Sequence, residues 1–180
     1  MSRIEPVLQT THDGIRRSFE AIEKQLGAVP NMMRTMAQSP RVLEGYLAWS
    51  GALSRGLLPA TLQEQIAIAI AEANACNYCL SAHTALGRRA GLSDDQLAAS
   101  REGRAVDAKA NAALQFALAV VERRGGISDQ DFARVREAGF SEAEIAEIIA
   151  HVALNVLTNY FNRAADTEID FPKVTTAQPI

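Results

Sequence analysis

Apolar residues recur along nearly the whole chain at helical spacing. Ile15, Phe19, Ile22 and Leu26 stand 4, 3 and 4 apart, which is one face of an amphipathic helix. Thr11 or Asp13 is placed to cap it, and the polar residues 1–11 read as an arm. Gly27-Ala28-Val29-Pro30-Asn31 breaks the pattern. Asn31 then caps a short helix in which Met32, Met33 and Met36 act as adaptable core filler. Ser39-Pro40 restarts the chain, with serine as cap and proline at the first helical position. The apolar positions that follow are almost continuous: Val42, Leu43, Tyr46, Leu47, Trp49, Ala52 and Leu53. Such a helix is expected to be well buried or to meet another subunit, and Gly56 ends it.

Pro59 opens a central helix with Leu62, Ile66, Ala69, Ile70 and Ala73 on one face, rich in small residues and suited to close packing. Asn74 and Ala75 interrupt it, and a new helix is expected from Asn77 to Ala90, before Gly91. Ser93-Asp94-Asp95-Gln96 and Ser141-Glu142-Ala143-Glu144 have the spacing of capping boxes. Between them, a helix from Asp107 to Arg124 turns Ala113, Phe116, Ala117, Val120 and Val121 inward, and one capped by Ser128 carries Phe132 and Val135. The last helix, to Ala165, is expected to turn Ile145, Ile148, Ile149, Val152, Val156 and Tyr160 inward. No stretch alternates with period two between hairpin signals. The fold class is therefore all-α, a bundle of about eight helices. One domain is expected over 1–180, with an arm at 1–11, a core at 40–165 and an extended tail at 166–180 that carries Pro172 and Pro179. A shift of 83 places Leu57, Leu62, Glu64 and Ile66 over Phe140, Ile145, Glu147 and Ile149, and Cys76 and Cys79 over Asn159 and Asn162. A duplicated helix pair would produce this, and so would two generic amphipathic helices.

Composition removes several function classes. With 180 residues, 48% hydrophobic and 22% charged, the chain is an ordinary globular sequence. A net charge of −3 offers no footprint for nucleic acid and no polybasic membrane patch. The longest apolar run is too short to span a bilayer, and the first residues lack the apolar region of a signal peptide, so a cytoplasmic location is expected. In a reducing compartment, two cysteines separated by two residues read as catalytic or metal-binding rather than as a structural staple.

Those cysteines, Cys76 and Cys79, span the first turn expected of a helix. A helix N-terminus carries unpaired N–H groups and partial positive charge, which stabilise a thiolate. The second thiol lies within reach to close a disulfide. His83 follows Cys79 by four residues and Cys76 by seven, so one helix face holds all three. An imidazole there can take a thiol proton. Glu64 lies 12 residues before Cys76, on the preceding helix, where a helix-turn-helix can fold it back to orient His83. Tyr78, His151 and Glu72 are possible supporting residues, while His12 reads as solvated. The same four side chains, Cys76, Cys79, His83 and Glu64, could instead hold zinc, although structural zinc draws mostly on cysteine and histidine. A small-residue helix precedes the motif where a thioredoxin fold needs a strand.

Glu64, Cys76-x-x-Cys79 and His83, at these spacings, resemble the active-site pattern of the AhpD-like alkylhydroperoxidases in the carboxymuconolactone decarboxylase superfamily. The likeness is centred on Leu57 to Gly91. It extends to Gly27-x-x-Pro30-Asn31 and to Asn159-Tyr160-Phe161-Asn162 with Asp170-Phe171-Pro172, which resemble the peroxidase-related branch. The resemblance implies an AhpD-like helical fold, a homo-oligomer (trimer or hexamer) and thiol-dependent reduction of hydrogen peroxide or an alkyl hydroperoxide. Cys79 would attack the peroxide, Cys76 would resolve the product, and His83 with Glu64 would relay protons. The redox group is then the Cys76–Cys79 disulfide, with no added cofactor. A lipoyl or thioredoxin-like protein would be the reductant. The founding peroxidases have histidine where this chain has Tyr78. Two other functions fit the same residues: a general Cys-x-x-Cys disulfide reductase, or a non-enzymatic zinc-binding or redox-sensing oligomer.

Overall fold

The computed structural model describes residues 2–177. Nine helices and no strand stand among them: α1 (Asp13–Leu26), α2 (Asn31–Met36), α3 (Pro40–Leu53), α4 (Ala60–Ala73), α5 (Asn77–Ala90), α6 (Asp94–Arg101), α7 (Ala108–Glu122), α8 (Asp129–Glu137) and α9 (Glu142–Ala165). The expected all-α class holds, and the short α2 accounts for a count above eight. Local chemistry sets the boundaries. Reciprocal capping boxes start α6 at Ser93 with Gln96, α8 at Ser128 with Asp131, and α9 at Ser141 with Glu144. Gly27 (φ 89°) and Gly91 (φ 102°) close α1 and α5 in the left-handed conformation, where a side chain would be strained. Two starts differ from expectation. His12, not Thr11 or Asp13, caps α1, its Nδ1 accepting the Ile15 N–H. Pro30 stands at the N-cap of α2, and Asn31 is its first residue.

Helix α4 is the centre of the packing, buried from Gln65 to Ala71 without a break. Its two sides serve different clusters. Leu62, Ile66, Ala69 and Ile70 pack with Leu114, Phe116 and Ala117 of α7 and with Ile145, Ile148 and Val152 of α9. Ile68 and Ala71 pack with Cys76, Cys79 and Leu80 of α5, with Met32 and Met36 of α2, and with Leu43 of α3. Alternating alanine and isoleucine through 66–71 lets neighbouring helices approach on every side, which a helix of larger residues would prevent.

The outer surfaces correct three expectations. Only Leu43 of α3 is buried, and Val42 and Trp49 remain exposed, so this chain alone does not cover the face. On α9, Ile149 and Tyr160 are exposed rather than inward. Ile149 follows Ile148 by one residue, about 100° around the helix. Beyond Val152 the buried positions of α9 become mostly polar: Asn155, Thr158, Asn159 and Asn162 join Leu154 and Ala165, while Tyr160 faces out. The 83-residue correspondence is not a repeated helix pair either, because the shifted segment forms the single unbroken helix α9.

The tail after α9 has no regular structure, as expected, but it is firmly tied down. Ile169, Phe171 and Val174 pack on the α2–α5 cluster. Ser81 Oγ donates to the Val174 carbonyl and accepts the Val174 N–H, and Asn77 Oδ1 accepts the Thr176 N–H. Pro179 lies outside the described residues. At the other end, the Arg3 N–H reaches the Ala165 carbonyl and the Val7 N–H the Arg34 carbonyl. Asp170 Oδ2 accepts the Asn31 N–H at 2.7 Å at the start of α2, and Asn31 Nδ2 donates to the Glu168 carbonyl. Asp170→Ala is expected to remove a helix cap and cost about 1 kcal/mol. Urea unfolding of the two proteins measures this, and an unchanged midpoint contradicts it.

Candidate active site

The site begins at the turn between α4 and α5. Asn74 ends α4, and Ala75 takes φ 50°, left-handed and without glycine's freedom. The Cys76 N–H returns to the Ala71 carbonyl. Cys76 thereby becomes the N-cap of α5, and its sulfur accepts the Cys79 N–H at 3.3 Å. The two sulfurs are free thiols 2.6 Å apart, with Cys76 1% and Cys79 2% exposed.

The two thiols are electrostatically unlike. Cys76 lies below the ordinary thiol value, chiefly through the hydrogen bond from the Cys79 thiol; burial opposes this, while the Cys79 N–H, His83 and Arg163 assist it. Cys79 is raised, first by burial and then by the negative charge on Cys76; Asn162 and Asn159 pull the other way. Of the two sulfurs, Cys76 therefore gives up its proton the more readily, and the Cys79 S–H donates to it. Access runs in the opposite sense. A cavity of about 270 Å³ is lined by Cys79, Tyr78, His83 and Asn162 and walled by apolar residues such as Met33, Leu86 and Phe171, whereas Cys76 does not line it.

His83 and Glu64 meet as their spacing predicts: His83 Nδ1 and Glu64 Oε2 are 2.8 Å apart, both half-buried. Burial alone would lower the imidazole. The Glu64 carboxylate and the Cys76 charge outweigh it, and the net shift is upward. Nδ1 is therefore the nitrogen held by the carboxylate, which leaves Nε2 to exchange protons.

The supporting residues divide. Tyr78 is buried, edge-on to Phe171 at 5.8 Å between ring centroids, and its hydroxyl accepts the Met32 N–H at 3.1 Å. Burial raises its hydroxyl far above the phenol range, so it ties α2 to α5 and lines the cavity without acting as an acid. Glu72 stands apart from the cysteines: its carboxylate accepts from Arg101 Nε at 2.8 Å and from the Ala177 N–H. His151 is buried with Nε2 unpartnered, and it lines a second cavity of about 310 Å³ with Glu64 and His83. Burial lowers its imidazole, so it is neutral near neutral pH. Among the described residues, no three of His, Cys, Asp and Glu are grouped to hold a metal ion.

Sequence reasoning passed over Asn159, Asn162 and Tyr46 as site residues. Asn162 Nδ2 donates to Cys79 Sγ at 3.3 Å. Asn159 Oδ1 accepts from Asn74 Nδ2 at 3.0 Å; its own Nδ2 lies towards Cys79 but short of a formed hydrogen bond. The signal was present. Ile145, Ile148, Val152, Asn155, Asn159 and Asn162 form one stripe at spacings of 3, 4, 3, 4 and 3. Asparagine is a poor helix former whose burial needs a reason. Tyr46 of α3 lines both cavities, its hydroxyl pushed up to about 12 by burial against the hydrogen bond with Ser50.

The sequence profile of the carboxymuconolactone decarboxylase family matches residues 40–123, which include Glu64, both cysteines and His83. A solved structure described as an alkylhydroperoxidase AhpD core, an uncharacterized peroxidase-related protein from Ralstonia eutropha, is 30% identical. The match covers 94% of this chain and 92% of that one, with a TM-score of 0.84. A peroxidase-related protein from Silicibacter sp. is 24% identical over 91% of this chain and 88% of its own, with a TM-score of 0.82. The debrominase Bmp8, solved with 2,3,4-tribromopyrrole, is 23% identical over 93% and 91%, with a TM-score of 0.80. At those two identities the likeness is one of fold. No curated protein sequence gives a significant match.

Two measurements test the electrostatics. The raised His83 value means that its pair with Glu64 stabilises the fold fully below the ordinary imidazole pKa, about 6.5, and that this stability is lost as pH rises through the folded value. The gap in melting temperature between wild type and His83→Gln should therefore shrink with rising pH; a constant gap refutes the pair. Thiolate absorbance gives the second. Cys79→Ala removes the main donor to Cys76 and should move Cys76 ionisation to higher pH, while Cys79→Ser, which keeps a donor, should move it less.

Proposed function

Because the chain belongs to the carboxymuconolactone decarboxylase family, a family of enzymes, and because Cys79 of its Cys-x-x-Cys pair lines a largely apolar cavity together with His83, whose ring Glu64 holds, we propose that it is a thiol peroxidase acting on alkyl hydroperoxides or hydrogen peroxide. The observation that carries this is the position of Cys79: of the two sulfurs, it is the one that lines the cavity, next to His83. The proton of the resting pair passes from Cys79 to Cys76, and the Cys79 thiolate attacks the terminal peroxide oxygen. The S–O bond forms as the O–O bond breaks. Sulfur is oxidised to the sulfenic acid, and the leaving alkoxide takes a proton from His83, whose charge Glu64 supports. Cys76 returns its proton to the now neutral His83 and, again the thiolate, attacks the sulfur of the sulfenic acid; the S–S bond forms as the S–O bond breaks, and His83 protonates the leaving hydroxide to water. An external dithiol, on a lipoyl or thioredoxin-like protein, returns the pair to thiols.

The apolar wall of the cavity favours a peroxide with a hydrocarbon body over hydrogen peroxide. A homo-oligomer, trimer or hexamer, belongs to the same proposal. Val42 and Trp49 of α3 and Ile149, Leu157 and Tyr160 of α9 are exposed on two helices that pack together, and a second copy would cover them.

Turnover of cumene hydroperoxide with dihydrolipoamide is the test. Cys79→Ser should lose at least about 100-fold in rate. Cys76→Ser should be oxidised once and retain a sulfenic acid that dimedone traps. Full activity in Cys79→Ser overturns the assigned roles. Reduction of disulfides with no response to any hydroperoxide favours the general disulfide reductase instead.

A further inference from the structure

One buried group at the closed end of the cavity has no partner. Asn162, 3% exposed, gives its Nδ2 hydrogen bond to Cys79 Sγ at 3.3 Å, yet its Oδ1 meets no donor. A buried acceptor left bare costs about 1–3 kcal/mol, and such a group is explained when something bound later supplies the donor. The Cys79 hydrogen is given to Cys76, so towards Asn162 the sulfur offers only lone pairs, at rest as in the thiolate, and the amide must turn its nitrogen to the sulfur and its oxygen away from it. Asn162, Cys79 and His83 all line this one cavity. The position is fixed from behind: Arg163 Nη1 donates to the Asn74 carbonyl, and the Asn74 side chain holds Asn159 one turn before Asn162.

We propose that Asn162 is a catalytic residue that aligns the peroxide, its Oδ1 accepting the terminal O–H of the substrate while its Nδ2 holds the attacking sulfur of Cys79. This rests on the peroxidase reading and adds a substrate requirement to it. A hydroperoxide, R–O–O–H, supplies the hydrogen that Oδ1 lacks; a dialkyl peroxide does not. The planar amide sets sulfur and terminal oxygen at fixed places on its two ends. As the S–O bond forms and the O–O bond breaks, the terminal oxygen keeps its hydrogen, and in the sulfenic acid that O–H still donates to Oδ1. The alkoxide leaves on the far side, taking the proton from His83. Orientation of this kind acts on the transition state and not on the thiol alone.

The test compares two reactions of the same sulfur. Protein with Asn162, Asn162→Ala or Asn162→Asp, each carrying Cys76→Ser so that Cys79 is the one thiol and each verified as folded by circular dichroism, is reduced and then treated with cumene hydroperoxide or with iodoacetamide across pH. Iodoacetamide reads thiolate alone. In Asn162→Ala the hydroperoxide rate should fall at least about 100-fold, well beyond the fall in alkylation at the same pH. In Asn162→Asp, which keeps an acceptor but sets a negative charge beside the sulfur, the alkylation profile should move to higher pH. This near-isosteric variant carries the test if the alanine variant does not fold. Equal losses in the two reactions reduce Asn162 to a thiolate-setting residue and overturn the proposal, as do unchanged rates. If Asn162→Asp alkylates on the same pH profile as the protein with Asn162, the contact with Cys79 is refuted too. Protein with Asn162 that alkylates normally but ignores hydroperoxides defeats the peroxidase reading instead, and the inference with it.

Discussion

A thiolate buried in a helical core must be neutralised by what surrounds it. Moving an isolated charge out of water costs tens of kcal/mol in a dry medium, so such a group protonates unless donors and opposite charge meet it. Here the donors are supplied locally. The left-handed Ala75 ends one helix and sets Cys76 at the cap of the next, where the Cys79 N–H and the Cys79 thiol both turn to its sulfur. Each charge-assisted hydrogen bond contributes about 1.5–3 kcal/mol. His83 and Arg163 add positive charge around the same sulfur. Helix α4 holds this arrangement from behind with alanine and isoleucine, and its Glu64 favours the charged form of the imidazole.

Helix α9 shows the same constraint in another form. Its first half is scaffold, with Ile145, Ile148 and Val152 closing the α4–α7 cluster. Its second half keeps the same inward stripe but changes chemistry to Asn155, Thr158, Asn159 and Asn162. The change occurs where the helix passes the cysteines. Leucine in place of Asn162 would leave the Cys79 sulfur without its donor. The fold gives up hydrophobic burial at these positions in exchange for polarity beside the reactive pair.

Much of this was legible in the sequence, for reasons that residue spacing explains. Glu64, Cys76, Cys79 and His83 lie on two helices joined by a short turn, so their meeting follows from helical phase alone. Two capping boxes and the capping Ser128 gave three helix starts because their geometry is local. The asparagines and Tyr46 were not legible as site residues. They arrive from α9 and α3, distant in sequence, and only tertiary packing sets a mid-helix polar residue against sulfur rather than solvent. Ile149 and Tyr160 are exposed for different reasons: Ile149 stands one residue off the apolar stripe, and at Tyr160 the stripe has turned polar. Glu72 was near the cysteines in sequence but points to the tail.

The division between the cysteines, charge on one and access on the other, matches what a two-step thiol cycle needs. A single shared proton makes the pair one titrating unit, and shifting it across the short S···S contact exchanges the thiolate between the two sulfurs. In the proposed cycle Cys79 needs its charge only while a peroxide occupies the cavity, with Asn162 Nδ2 donating to its sulfur. Cys76 needs its charge afterwards, when a sulfenic acid stands beside it. By then Cys79 no longer ionises, so nothing competes for the negative charge and the helix N-terminus stabilises Cys76 alone. The cysteine with the lower resting value is thus suited to resolution, and the raised value of Cys79 confines its nucleophilicity to the moment when the cavity is filled. A pair with the opposite asymmetry would expose a permanent thiolate to every electrophile that entered the cavity.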